Sequence, residues 1–293
     1  MEHVERLREL LTKAVEKSCD SDTGVIFSGG IDSTIVAMLA SKFSKVTAYA
    51  CGIPGSHDLE YAEGARNLGF DIKAIEMTPE KIENSLASIV STIGTNPVKV
   101  SVAVPFHFAS KQAREGGVRI MLCGQGADEL FGGYNRYLEP LPDYTRIGEM
   151  MKKDIENIHT EQLNNDIAIC RENGIDLRAP FLDDEFKNYT MEIPMDLRIH
   201  EIKNSEEFTC IDEVDDRKFI RKYVLRLLAK ELGVPGPILN RRKKAAQYGS
   251  GSWKTIQKLA RDNGFKEKAG KAGRKDYTKL FLENLKSQPH EPP

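Results

Sequence analysis

Cysteine is scarce and unpaired. The chain has five, Cys19, Cys51, Cys123, Cys170 and Cys210, scattered and without a Cys-x-x-Cys spacing. That excludes a disulfide framework and a zinc site, leaves reduced buried thiols, and points to the cytoplasm. No apolar run reaches the length of a membrane helix, and residues 1–10 are charged and amphipathic rather than signal-like. Neither sign of charge dominates: 42 Lys and Arg stand against 44 Asp and Glu, a net charge of −2. This argues against a chain-wide nucleic-acid binder and leaves room for a local basic patch. Internal repeats are also missing. At 293 residues, 40% hydrophobic and 29% charged, the sequence fits one large globular domain or two modest ones with a substantial core.

What is present begins with Val25-Ile26-Phe27-Ser28-Gly29-Gly30-Ile31-Asp32-Ser33-Thr34. The apolar start suits a strand buried on both faces of a parallel sheet. Gly29 and Gly30 allow a tight turn and close approach of a ligand to the backbone. Asp32, Ser33 and Thr34 then open a helix whose apolar positions are Ile35, Val36, Met38 and Leu39. A helix N-terminus fed by a glycine turn aims unpaired N–H groups and the positive dipole end at one spot, which is an anion site. No Gly-Lys-Ser/Thr closes the loop, so it is not a Walker A sequence. The plainer alternative is an ordinary strand-to-helix turn with a capping Ser or Asp.

Around this stretch the chain reads as strands alternating with helices. Residues 2–19 form an amphipathic helix expected to cover the sheet, with Val4, Leu7, Leu10, Leu11, Ala14 and Val15 on one face. Residues 46–51 read as a strand, Asp58 as the cap of a helix to about Leu68 closed by Gly69, and 71–77 as a strand. Helices follow over 79–93 and 102–114, then a buried strand over 118–123. The fold class expected is α/β, a doubly wound parallel sheet with helices on both faces, followed by a mostly helical C-terminal part. Ligands would then bind beyond the carboxyl ends of the strands. The loops after Phe27, Ala50 and Cys123 open on that edge. From Arg261 the chain is basic and reads as a solvated terminal helix, with 288–293 frayed.

The last of those loops is Leu122-Cys123-Gly124-Gln125-Gly126-Ala127-Asp128-Glu129-Leu130-Phe131-Gly132-Gly133-Tyr134. It is a glycine-loosened turn that delivers two carboxylates, Asp128 and Glu129, to the ligand edge. A hard cation bridging phosphates takes one or two carboxylates plus waters, so Asp32 with Asp128 makes a sensible magnesium pair.

These residues carry a resemblance. The first stretch is similar to the Ser-Gly-Gly-x-Asp-Ser loop of the ATP pyrophosphatase superfamily. The second resembles the Gly-Glu-Gly-Ser-Asp-Glu-x-Phe-Gly-Gly-Tyr signature of the synthetase domain of glutamine-hydrolysing asparagine synthetases. Gly52-Ile53-Pro54-Gly55-Ser56-His57-Asp58-Leu59, Asp176-Leu177-Arg178-Ala179-Pro180-Phe181-Leu182-Asp183 and the lysine loop Arg242-Lys243-Lys244-Ala245-Ala246-Gln247-Tyr248-Gly249-Ser250-Gly251 are similar to further motifs of that family, in the same order. The resemblance implies an adenine nucleotide alpha hydrolase-like fold over 1–293 as a single domain. Within it 1–20 is a covering helix, 21–138 the ATP pyrophosphatase core, 139–260 a helical part completing the site, and 261–293 a basic tail. It also implies ATP and magnesium as cofactors, and amide formation from a carboxylate (aspartate) and ammonia through an acyl-adenylate, with AMP and pyrophosphate released. Ser28, Gly29, Gly30, Ser33 and Thr34 would cradle pyrophosphate, and Asp32 and Asp128 hold the metal. Cys51 and Gly124 would flank adenine. Lys243, or Lys244 if the register shifts by one, would be the catalytic lysine. No nucleic-acid or membrane partner is implied, and a homodimer is compatible with the family.

Three departures bear on the expectation. No glutaminase domain precedes the phosphate loop, so ammonia is expected to be free or supplied by a separate glutaminase subunit. Gln125 stands where the family has a glutamate implicated in taking a proton from the nitrogen nucleophile, and a neutral amide is no base near pH 7. Val98-Lys99-Val100-Ser101-Val102-Ala103 replaces a family stretch that carries an arginine, leaving Arg178 or Lys99 to recognise a dicarboxylate. An amide ligase on another carboxylate, as in the β-lactam synthetases, and a nucleotide-binding subunit without ligase chemistry are the alternatives.

Overall fold

The computed structural model describes residues 2–202 and 208–287. Five parallel strands form the main sheet: β1 (Asp22–Ile26), β2 (Lys45–Gly52), β3 (Asp71–Glu76), β4 (Ile120–Leu122) and β5 (Asp176–Arg178), in the order β3-β2-β1-β4-β5. The helices in the first half are α1 (Glu2–Ser18), α2 (Ile31–Ala40), α3 (His57–Gly64), α4 (Pro79–Ile93), α5 (Pro97–Glu115) and α6 (Ala127–Phe131). Then come α7 (Tyr144–Ile158), α8 (Asn164–Glu172), α9 (Asp184–Glu192) and α10 (Met195–Arg198). The remainder are α11 (Tyr223–Glu231), α12 (Gly236–Leu239), α13 (Ala246–Gly249), α14 (Ser252–Asp262), α15 (Phe265–Lys271) and α16 (Tyr277–Ser287).

Alternation along the strands sends side chains to two cores. Ala48, Ala50 and Leu122 join one apolar cluster, while Tyr49, Cys51, Met121 and Cys123 join the other. The first lies under α1, α2 and α11, the second under α4, α5 and α14. Both faces are therefore covered, as a parallel sheet requires, and the fold is the doubly wound one expected. The amphipathic α1 buries Leu7, Leu11 and Val15 against α2, α9 and α11.

The chain runs outward from β1 through β2 to β3, then returns to lay β4 on the other side of β1. Strand order thus reverses between β1 and β4, where Val25 pairs with Leu122 near the carboxyl ends of both strands. The loops over 27–30 and 123–126 leave the sheet side by side.

Several local expectations change. Asp58 lies in the first turn of α3 and does not cap it; Ser56 holds the N-cap position, and α3 stops at Gly64. The fifth helix starts at Pro97, because Asn96 caps it by accepting from Val98 N and Lys99 N and the proline is suited to the first turn. A second, antiparallel sheet of β6 (Ile199–Glu201), β7 (Asp212–Val214) and β8 (Arg217–Arg221) interrupts the part read as helical. The basic end is not a solvated helix: Phe265, Ala269, Phe281 and Leu282 are buried in the second core. The frayed segment expected over 288–293 lies outside the described residues. Among the described residues, no helix is long and apolar enough to cross a membrane.

Candidate active site

The phosphate loop is built by its own hydrogen bonds. Gly30 is the N-cap of α2 and gives no side-chain cap to the first-turn N–H groups, which stay available to an anion. Gly29 holds φ +66, and a Cβ there would come within 2.6 Å of Tyr61 Cβ, so only glycine fits the turn. Ser28 Oγ accepts from Gly30 N at 3.3 Å and lies 3.4 Å from Ser33 Oγ. The hydroxyls of Ser33 and Thr34 both donate to Gly30 O, at 3.2 and 2.8 Å. Of the five residues expected to cradle phosphate, Ser28 and Gly30 line the cleft, while Ser33 and Thr34 are buried behind the turn.

The two aspartates expected as a pair do converge. Lys222 Nζ donates to Asp32 Oδ1 at 2.8 Å and Oδ2 at 2.7 Å, and stands 2.7 Å from Asp128 Oδ1. Lys243 Nζ pairs with Asp128 Oδ2. Gly124 lets the two loops close, since a Cβ on it would sit 2.9 Å from Asp32 Cβ and 3.2 Å from Ser33 N. Burial pushes the Asp128 carboxyl up, but the ammonium groups of Lys222 and Lys243 outweigh it and hold Asp128 well below the ordinary range. Burial likewise works against the Lys243 charge, and Asp128 and Asp32 raise it above its ordinary value all the same. Glu129, behind them, accepts from Tyr134 Oη at 2.7 Å, and burial followed by the Asp128 charge raises its pKa.

Lys222 carries no recognisable motif and was not anticipated from sequence. It follows β8 directly, adopts φ +56, and is the N-cap of α11 with only 2% of its surface exposed. A lysine in the left-handed region is uncommon, and such outliers gather at functional sites. The small sheet delivers it: β7 and β8 are joined through Asp215 and Asp216, both at positive φ, the conformation of a two-residue hairpin turn. Gly133 leaves room for this cluster. A Cβ there would overlap Asp128 Oδ1 and the Lys222 stem. Gly133→Ala should therefore cost about 1–3 kcal/mol by overpacking, read as a lower midpoint in urea denaturation.

The lysine loop, between α12 and α13, is tied across the phosphate loop. Arg241 donates to Ser28 O and, through Nη2, to Asp58 Oδ1 at 2.6 Å, with its guanidinium 4.2 Å from the Tyr61 ring centroid. Arg226 Nη2 donates to Arg241 O at 3.4 Å, and Arg242 Nη2 to Ile211 O at 2.8 Å. The resulting cleft is lined by Ser28, Gly30, Ile31 and Asp32 on one side, and by Lys222, Arg226, Arg241, Arg242, Lys243 and Lys244 on the other. That excess of cations around a helix N-terminus suits a polyphosphate.

Other expected residues are placed less directly. Cys51 is buried near the end of β2, and burial pushes its thiol well up, so it packs as an apolar group. Gln125 sits next to Gly124 with its amide donated to Asp166 Oδ2 at 2.6 Å. Arg178 is not at the cleft: it donates to Asp176 at 2.8 Å and to Ser18 O at 3.1 Å, where α1 ends. It therefore does not replace the missing substrate arginine.

The family model for asparagine synthase matches residues 6–144 and 139–290. A protein of Methanocaldococcus jannaschii, named provisionally as a glutamine-hydrolysing asparagine synthetase, is 34% identical over 292 residues, covering 90% of this chain and 53% of that protein. Asparagine synthetase B of Escherichia coli is 28% identical over 206 residues, 64% of this chain and 37% of that one. The chain thus spans about half the length, or less, of these curated relatives. Among solved structures, the NMN synthetase of Francisella tularensis is similar over 99% of this chain and 97% of that one, at 16% identity and a TM-score of 0.46.

Proposed function

The chain belongs to the asparagine synthase family, and from that premise we propose that it is an ATP-dependent amide ligase releasing AMP and pyrophosphate. Aspartate and ammonia are the substrates and asparagine the product. The observation that carries the proposal is the meeting of Asp32 and Asp128, from the ends of β1 and β4, on the Lys222 ammonium at the N-terminus of α2.

In the first step a carboxylate oxygen of the substrate attacks the α-phosphorus of ATP. The bond to the bridging oxygen of the β-phosphate breaks, and pyrophosphate leaves. The Ser28–Gly30 backbone, the first turn of α2 and Lys222 meet the charge that gathers on the leaving group. Lys243 stabilises charge on the reacting phosphate. In the second step ammonia attacks the acyl carbon, AMP departs, and the nitrogen's extra proton goes to the AMP phosphate. Fixed charges of this kind act without reorganising, which makes them effective in a sheltered cleft. Asp32 and Asp128 are suited to hold magnesium, because both buried carboxylates already surround one cation, the Lys222 ammonium. When bound, magnesium would neutralise phosphate charge.

One observation favours a carboxylate other than aspartate. At the start of α5 the buried Ser101 stands where the family arginine would, and Arg178 is engaged elsewhere. The test is incubation with ATP, magnesium, ammonium and a panel of carboxylates, following AMP, pyrophosphate and amide. Aspartate-dependent AMP with asparagine is the expected result. AMP with another acid would move the substrate, and ATP binding without turnover would remove the ligase assignment.

A further inference from the structure

Asp166 does nothing in the chemistry above, yet it is fully buried and reaches the loop that carries Gln125. It belongs to α8, which follows α7 through a wide π-helical turn at His159–Leu163. Such turns often mark functional positions. Here the turn ends with Gln162 and Asp166 on the same side. Gln162 Nε2 donates to Asp166 Oδ1 at 2.7 Å, and Gln125 Nε2 donates to Asp166 Oδ2 at 2.6 Å. Each carboxylate oxygen thus receives one amide N–H. A carboxylate accepts and does not donate, so it selects the nitrogen end of Gln125 and turns the carbonyl Oε1 away from itself.

We propose that Asp166 is a positioning residue for the nitrogen step: by holding the Gln125 amide nitrogen, it makes Gln125 Oε1 a fixed acceptor that orients incoming ammonia. This rests on the ligase assignment. Ammonia has three N–H donors and one lone pair, so an acceptor fixed beside it aims the lone pair at the acyl carbon. The N–C bond forms, the acyl C–O bond to AMP breaks, and the surplus proton leaves on the AMP phosphate. No base is required of Gln125, which resolves the loss of the family glutamate at this position.

The surroundings of Asp166 support the assignment. Burial pushes its carboxyl up to about 7, against the pull of the two amides. The titratable groups that feel its charge are the Cys123 and Cys170 thiols, themselves raised by burial and neutral at that pH. As pH falls through about 7, Asp166 gains a proton and can donate to Gln125 Oε1, so the amide is free to turn over. The nitrogen step should weaken on that acid side while adenylation does not.

The experiment compares the full chain with its Asp166→Asn and Gln125→Glu variants. Adenylation is read as carboxylate-dependent ATP–pyrophosphate exchange, and the nitrogen step as amide formation corrected for free ammonia. Asp166→Asn should lower kcat/KM for ammonia about tenfold, the worth of one hydrogen bond, leave exchange within about twofold, and abolish the acid-side fall. Gln125→Glu sets a second carboxyl beside Asp166, where both cannot ionise together, and should also move the ammonia step more than exchange. In the unliganded wild type, the side-chain N–H resonances of Gln125 and Gln162 should shift together near pH 7, and this shift should vanish in Asp166→Asn. Equal losses in exchange and amide formation, or a Gln125 signal indifferent to pH, would overturn the proposal alone. A wild type without exchange would overturn the ligase assignment and the proposal with it.

Discussion

Lys222→Met is expected to reduce carboxylate-dependent ATP–pyrophosphate exchange by about two to three orders of magnitude, the range for removing a preorganised charge from a leaving group. The reason is placement. The Lys222 ammonium contacts both carboxyl oxygens of Asp32 and one of Asp128, at 2.7–2.8 Å, at the entrance to α2. Methionine keeps the apolar stem and deletes the charge, so packing beside Gly133 is preserved. Asp32 and Asp128 then face each other with Lys243 and the more distant Arg226 to offset them. Magnesium should stabilise the variant against heat more than it stabilises the wild type, because the two carboxylates gain a cation they lack. Arginine is no substitute here, since a planar fork cannot occupy the position of a compact ammonium. Exchange within about threefold of wild type, in a variant whose denaturation midpoint is lowered, would mean the ion pairs are structural only.

Arg241→Ala is expected to cost about 3–5 kcal/mol of stability, the usual result of breaking a buried pair from one side. Asp58 and Arg241 are nearly buried, 5% and 9% exposed, and Asp58 has no other ion pair among the described residues. Burial already raises the Asp58 carboxyl although Arg241 pulls it down. Without Arg241 its folded pKa climbs further above that of the unfolded chain. Stability from such a group is present at low pH and is lost as pH rises through the folded value. The deficit should therefore be larger at pH 8 than at pH 5 in urea denaturation. The double change Arg241→Met with Asp58→Leu should recover much of the loss, because no charge is left unpaired. Losing Arg241 also frees Ser28 O and unties the lysine loop, so activity should fall even where the fold survives.

The legible parts of this chain are those whose physics is local. Strands β1, β2 and β4 are announced by the apolar runs over 25–27, 48–51 and 120–123, and α4 carries its own cap and proline, so their existence follows from the sequence. Asp32 and Asp128 were found because each follows a strand and a glycine turn on the same edge. What escaped depends on distant partners. Asp58 looks like a helix cap, and only Arg241, 183 positions away, makes it a buried ion pair. Strand β5 is Asp-Leu-Arg, with a single apolar residue to announce it. The hairpin of β7 and β8 is mostly charged, and its one signal is the Asp215-Asp216 turn. Lys222 is hidden for the same reason, since nothing beside it in the chain marks it as the cation between two aspartates. The basic end misled by composition: Phe265, Phe281 and Leu282 suffice to dock it.

The attack of a substrate carboxylate on the α-phosphorus can be followed with oxygen-18 in that carboxylate. The chain, supplied with ATP, magnesium, ammonium and labelled aspartate, should transfer one labelled oxygen into AMP for each asparagine formed, with none in pyrophosphate. Unlabelled AMP accompanying amide formation, or label appearing in inorganic phosphate with ADP, would contradict the assignment of this cleft as an adenylating site.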